Sequence, residues 1–360
     1  MTFAFWLFQA WMVLCDWVGL RATRRWPRPW IFALVVVSGG AAIIVGASLC
    51  MGLHRRGGGS MFTFLGLVAS GLFVHGPVVL FGGWWLLRRT SPRFGWFVLA
   101  NAVILSVIVL DAFAIEPTWL EVTRHEIASP KLTRPVKIVV VADFQAEAIG
   151  RYERRVLETI RAEAPDLVLL PGDYIHEPDS DVYAERLAEL NAHLRDLEVS
   201  TPLGWHAVRG NVEGYEWPEA FDGLNAEIYQ KTRTTQRGEL SITGLSFGDS
   251  FDLDVEIEGR PGFHIVFGHA PNFALGEVQA DLLIAGHTHG GQVRLPLFGP
   301  IITLSRVPRS WAAGRTELEG GRTLYVSRGI GMERGYAPRM RFLCRPELVV
   351  LELVPESGER

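Results

Sequence analysis

Three stretches of this 360-residue chain, 31–53, 62–87 and 94–115, are apolar and about as long as a helix must be to cross a bilayer's hydrocarbon core. Asp111, near the end of the third, is the one Asp, Glu, Lys or Arg inside them. They read as transmembrane helices, and they commit the first third of the chain to a membrane domain over residues 1–120. A fourth stretch, 3–20, is apolar and tryptophan-rich but carries Asp16. It could span, lie at the interface, or pack Asp16 against a partner within a bundle. No basic region precedes this stretch and no small-residue cleavage site follows it, so a removable signal peptide is not expected.

Arginine placement orients the spans. The loop 21–29 holds Arg21, Arg24, Arg25 and Arg28, the loop 88–93 holds Arg88, Arg89 and Arg93, and the loop 54–60 between them holds only Arg55 and Arg56. The first and third loops share a side of the membrane. Seven positive charges against two assign that side to the cytoplasm and the C-terminal part to the outside of the inner membrane. Cys15 and Cys50 lie in membrane segments and Cys344 stands alone, so cysteine says nothing about a disulfide framework.

Beyond the spans, residues 126–358 are long enough for one substantial α/β core. Apolar, β-branched runs recur there, each ending on a residue able to bind metal. Residues 136–142 end at Asp143, 166–172 at Asp173, 205–210 at Asn211 and 263–268 at His269; 282–285 leads through Gly286 to His287 and His289. Taken singly, Asp and Asn after a strand are ordinary turn residues or helix caps. Taken together, carboxylate, amide oxygen and imidazole form a mixture that suits one or two divalent ions, and open α/β sheets bind ligands at strand carboxyl ends. Amphipathic helices are expected at 151–164 and 182–197, giving the βα alternation of a layered α/β fold.

The order Asp143, Gly172-Asp173, Gly210-Asn211, Gly268-His269 and Gly286-His287-Thr288-His289-Gly290-Gly291-Gln292 resembles the calcineurin-like metallophosphoesterases over roughly residues 130 to 355. With Ser327-Arg328-Gly329-Ile330-Gly331 it is similar to their bacterial membrane-associated branch, which includes enzymes acting on UDP-diacylglucosamine. The resemblance implies a four-layer α/β/β/α sandwich after the α-helical transmembrane bundle, with two divalent ions (Mn, Mg, Fe or Zn) at the strand ends. It implies that Asp173 bridges them, that Asp143 and His289 hold the first, and that Asn211, His269 and His287 hold the second. It implies metal-assisted hydrolysis of a phosphate ester, the two ions sharing and activating a water.

Two departures fall inside the pattern. Gln145 stands where the family's first motif has histidine; it still offers an oxygen, a harder and neutral ligand that shifts the first ion towards Mg or Mn. Val212 replaces the histidine that in the family steadies the transition state or protonates the leaving oxygen, and an isopropyl group can do neither. Asn211, His176 and Glu213 are the catalytic candidates that remain, His176 having an alternative reading as an exposed loop residue. Arg306, Arg328, Arg339 and Arg341 follow the histidine pair; Arg328 and Arg339 are the phosphate-binding candidates, although each arginine alone also reads as a surface residue.

A net charge of -4 and a positive mean hydropathy fit a membrane protein with a soluble domain. No basic tract argues for nucleic acid. Three functions follow: a membrane-anchored phosphoesterase whose substrate is presented at the lipid bilayer, a metal- and phosphate-binding sensor that has lost turnover, and a small transporter or scaffold regulated by the domain.

Overall fold

The computed structural model describes residues 2–53, 60–335 and 337–356. Contacts divide the chain into two compact units: residues 1–115 with 333–339, and 116–332 with the chain from 340 onward.

In the first unit, four helices are long and apolar enough to cross a membrane: Phe3–Arg25, Pro29–Gly52, Met61–Leu87 and Pro92–Thr118. The first is continuous across Asp16, whose carboxylate meets His75 Nδ1 at 2.6 Å. His75 Nε2 in turn meets Gln9 Oε1 at 2.9 Å, and Gln9 donates to Ser70. The charge in the fourth stretch is therefore partnered inside the helical unit, as an acid in an apolar solvent must be. The backbone widens to a π-turn over Gly71–His75 just before Pro77, which lacks an N–H. Arg55 and Arg56, which enter the orientation argument, lie outside the described residues.

The second unit holds two six-stranded sheets. The first runs in the order Glu121–Ser129, Glu347–Pro355, Val136–Val140, Leu167–Leu170, Gly204–Val208, Ala226–Tyr229. The second runs Gly314–Leu318, Arg322–Val326, Leu282–Ala285, Phe263–Phe267, Leu240–Gly244, Arg233–Arg237. The strands that end on candidate ligands are parallel neighbours within each sheet. Such strands are buried on both faces, which is why each reads as a mostly apolar run, broken only by Lys137, His206 and His264.

Side-chain alternation divides those runs between two cores. Ile138, Val140, Leu167 and Leu169 face Ile265, Phe267, Leu282 and Ile284 between the sheets. Val139, Val168 and Leu170 point the other way, onto helices Arg151–Glu163 and Ser180–Asp196 through Val156, Leu157, Ile160, Leu187 and Leu190. The outer face of the second sheet is covered by short helical turns, Phe247–Phe251 and Pro271–Leu275, with Phe273 and Ala274 against Val266, Leu283 and Ala285. The sandwich is four-layered, and its fourth layer is thin.

Candidate metal centre

The loops that leave the strands are tightly bent. Asp143, Gln145, Asp173, His287 and His289 all have positive φ, between 39° and 68°. A non-glycine residue in that region costs on the order of 1–3 kcal/mol, and such strain gathers where side chains are held for a purpose. The neighbouring glycines permit the crowding. A Cβ on Gly210 would lie 2.1 Å from Asp173 Oδ1, and one on Gly329 would lie 2.7 Å from the Asp143 Cβ.

His269 is fully buried and its Nδ1 lies 2.8 Å from the Pro171 carbonyl. A carbonyl only accepts, so Nδ1 donates to it and Nε2 is the nitrogen turned towards the neighbouring ligand candidates. Nε2 faces Asn211 Oδ1 at 2.8 Å, His287 Nδ1 at 3.1 Å and Asp173 Oδ1 at 3.5 Å. His287 Nε2 is spent in the same way on the Leu304 carbonyl, 3.3 Å away, which leaves Nδ1 turned towards His269. Burial, then the charge of His269, pushes the His287 imidazole down to about 4, so it is neutral near pH 7. Two ring nitrogens, an amide oxygen and a carboxylate oxygen thus converge on one point. Such a set is stabilised by a cation.

A second group shares Asp173. Ligand atoms of Asp143, Asp173 and His289 lie within 4.8 Å of one another, and all three residues are buried. Neither ring nitrogen of His289 has a hydrogen-bond partner among the described residues. Burying a polar atom in that state costs about 1–3 kcal/mol, a cost that a bound ion removes. The Asp173 carboxylate is held in place by N–H groups of Asn211 (2.7 Å) and Val212 (3.1 Å) on Oδ1 and by the Gln145 amide on Oδ2 (2.9 Å). Burial alone would raise its pKa; His269, Gln145 and Val212 outweigh burial and hold it below the usual carboxylate range. Asp143 accepts the backbone N–H of His287 at 2.9 Å. The donor set and its unsatisfied atoms fit divalent ions.

The sequence pattern of calcineurin-like phosphoesterases matches residues 136–291. The uncharacterized metallophosphoesterase YkuE of Bacillus subtilis is 30% identical over 266 residues, 66% of this chain and 87% of that protein. The chain belongs to the calcineurin-like phosphoesterase family. A second relative, phosphodiesterase YaeI of Escherichia coli, is 30% identical over 263 residues, 66% of this chain and 90% of its own. An uncharacterized metallophosphoesterase of Aquifex aeolicus is 27% identical over 275 residues, covering 68% and 97%. This phosphoesterase is a hydrolase, and its fold implies divalent metal.

Several residues of this phosphoesterase are placed differently from the sequence expectation. Glu213, a candidate proton donor, is buried with Oε1 on the Tyr174 N–H and Oε2 on those of Asp173 and Gly210. Burial, then the Asp173 charge, pushes its pKa up to about 8. Both oxygens accept backbone N–H groups and so tie the Asp173 loop to the Asn211 loop. Gln145 turns its amide nitrogen onto Asp173. His176 is half-buried, its backbone N–H on the Ala146 carbonyl at 3.1 Å. Arg328 pairs through one guanidinium nitrogen with Glu121 and Glu347, at 2.8 and 3.2 Å, so carboxylates already meet the charge expected for a phosphate. Arg339 falls in the 333–339 segment of the helical unit.

Arg341 is the largest correction. It is fully buried, donating to the carbonyls of Arg328, Gly329, Gly331 and Cys344. It braces the loop that passes beside Asp143. Replacing Arg341 with methionine should strand several of those carbonyls, each at about 1–3 kcal/mol. Thermal unfolding of the full-length protein in detergent should show the soluble unit melting several degrees lower; an unchanged midpoint would contradict this bracing role.

Sequence reasoning missed the carbonyls of Pro171 and Leu304, which fix the tautomers of His269 and His287, and the Phe251 ring, 5.0 Å from His287 centroid to centroid. A backbone carbonyl has no residue signature. Phe251 ends a five-residue helical turn rather than following directly on a strand, so its position carries no ligand-like signal.

Proposed function

We propose that this chain is a membrane-anchored, two-metal phosphoesterase acting on a phosphate ester presented at a lipid bilayer. The observation that carries it is the convergence of His269 Nε2, His287 Nδ1, Asn211 Oδ1 and Asp173 Oδ1 beside the Asp143, Asp173 and His289 group. Asp173, common to both groups, is the bridging ligand; Asp143 and His289 complete the first, and Asn211, His269 and His287 the second. Gln145 and Glu213 hold Asp173 and its loop in register. Divalent ions so held would polarise phosphoryl oxygens and lower the pKa of an attacking water.

Val212 stands where an imidazole would protonate the leaving oxygen, and Glu213 faces backbone. The reading that follows is a preference for leaving groups stable as anions, phosphoanhydrides or aryl esters, over alkyl esters. Four apolar helices support membrane anchoring, and a lipid-linked substrate follows from that anchoring. The full-length protein should hydrolyse members of a panel of aryl monoesters, aryl diesters and diphosphate esters when Mn, Mg, Fe or Zn is supplied. Metal binding with no turnover of any member would replace this reading with that of a degenerate binding protein.

The arginine asymmetry supports an extracytoplasmic soluble unit. A cysteine introduced at Thr118 should react with an impermeant reagent in intact spheroplasts. Reaction only after the inner membrane is permeabilised would reverse the orientation.

A further inference from the structure

We propose that residues 292–313 dock the soluble unit on an anionic phospholipid surface. The segment follows the histidine pair directly and folds as a small hairpin, Arg294–Leu295 against Gly299–Pro300. Its turn carries Leu297 at φ 67°, a position where hairpins ordinarily use glycine or asparagine. Leu297 is fully exposed, Phe298 is 56% exposed, and Leu295, Ile301 and Leu304 are also exposed. The other large exposed apolar side chains of this unit, such as Trp119, Tyr215 and Leu253, are scattered along its sequence. Single exposed apolar residues are ordinary; a contiguous group at one tip marks a surface that meets something apolar.

Charge identifies the partner. Residues 292–313 contain Arg294, Arg306 and Arg309 and no Asp or Glu, in a chain whose net charge is -4. The Arg309 guanidinium lies 4.6 Å over the Phe298 ring. Apolar side chains at a tip with arginines around them match the layering of a bilayer interface, where acyl chains lie beneath anionic headgroups. The hairpin is also fastened to the metal centre: the Leu304 carbonyl accepts from His287 Nε2, and Thr288 donates to the Ala312 carbonyl at 2.7 Å. Docking at this tip would bring the phosphate headgroups of the bilayer close to the residues that bind metal.

The test uses the full chain reconstituted in vesicles. An environment-sensitive fluorophore is placed on Leu297→Cys, with Cys15 and Cys50 replaced by alanine and the buried Cys344 retained. A matched probe on Tyr215→Cys, at another exposed site, is the reference. In phosphatidylcholine vesicles containing phosphatidylglycerol, the 297 probe should shift to the blue and be quenched by a headgroup-level spin label, while the 215 probe stays water-like. The shift should fall in pure phosphatidylcholine, at high salt, and in an Arg306→Gln, Arg309→Gln background. Water-like emission at 297 in both lipids would overturn the proposal. So would a shift indifferent to lipid charge that grows with the protein-to-lipid ratio, which would assign the tip to a second copy of the chain. Neither reading depends on turnover, so failure here is distinct from failure of the hydrolase reading.

Discussion

Asp173→Asn is expected to abolish hydrolysis and release most bound metal from a protein that still folds. The side chain keeps its size, so the N–H groups of Asn211 and Val212 still have an oxygen to meet, but the negative charge common to the two ligand groups is gone. Losing a residue that merely supports a ligand costs roughly 10–100-fold in metal affinity or activity. The loss here should exceed that range, because Asp173 belongs to both groups. Metal content by mass spectrometry and the thermal midpoint are the two readouts. A folded Asp173→Asn protein with full metal and full activity would remove Asp173 from the centre.

Val212→His should help selectively. An imidazole at 212 can donate the proton that an alkyl leaving group needs, and general acid help is worth about 10²–10⁴ in rate. Turnover of alkyl phosphate esters should therefore rise towards that range, with aryl esters changed little because their leaving oxygen departs as a stable anion. Equal effects on both classes would show that position 212 does not face the leaving group. His176→Ala is the companion variant. A loss confined to alkyl esters there would assign the proton to His176.

The ligand positions were legible because of how parallel strands pack. Val136–Val140, Leu167–Leu170, Phe263–Phe267 and Leu282–Ala285 are buried on both faces, so apart from Lys137 and His264 each is an apolar run with the candidate ligand just past its end. Helices expected at 151–164 and 182–197 form at Arg151–Glu163 and Ser180–Asp196, within two residues at each end. The edge strand Glu121–Ser129 was invisible in the sequence. Its burial alternates from Thr123 to Ser129, but the inward positions include Thr123, His125 and Ser129, so residue polarity shows no alternation to distinguish it from a linker.

Charged residues show where sequence reading fails and why. An arginine after the last motif reads as a surface or phosphate-binding group, yet Arg341 is buried among backbone carbonyls contributed by residues 328–331 and by Cys344. Glu213 looked like an acid poised beside the site; the three N–H groups that it accepts come from Asp173, Tyr174 and Gly210. Asp16 and His75 are 59 residues apart, and only helix packing makes them partners. In each case the decisive neighbour is a backbone group or a distant residue, which local spacing cannot reveal.

The buried ligand set is expected to hold two divalent ions that the chemistry requires. The most direct test measures metal content and aryl phosphate ester hydrolysis on the same full-length preparation, before chelation, after it, and after metal is returned. Two ions per chain, activity that disappears with them, and recovery on adding Mn or another divalent ion are the expected results. Hydrolysis that persists in a preparation stripped of metal would contradict the account.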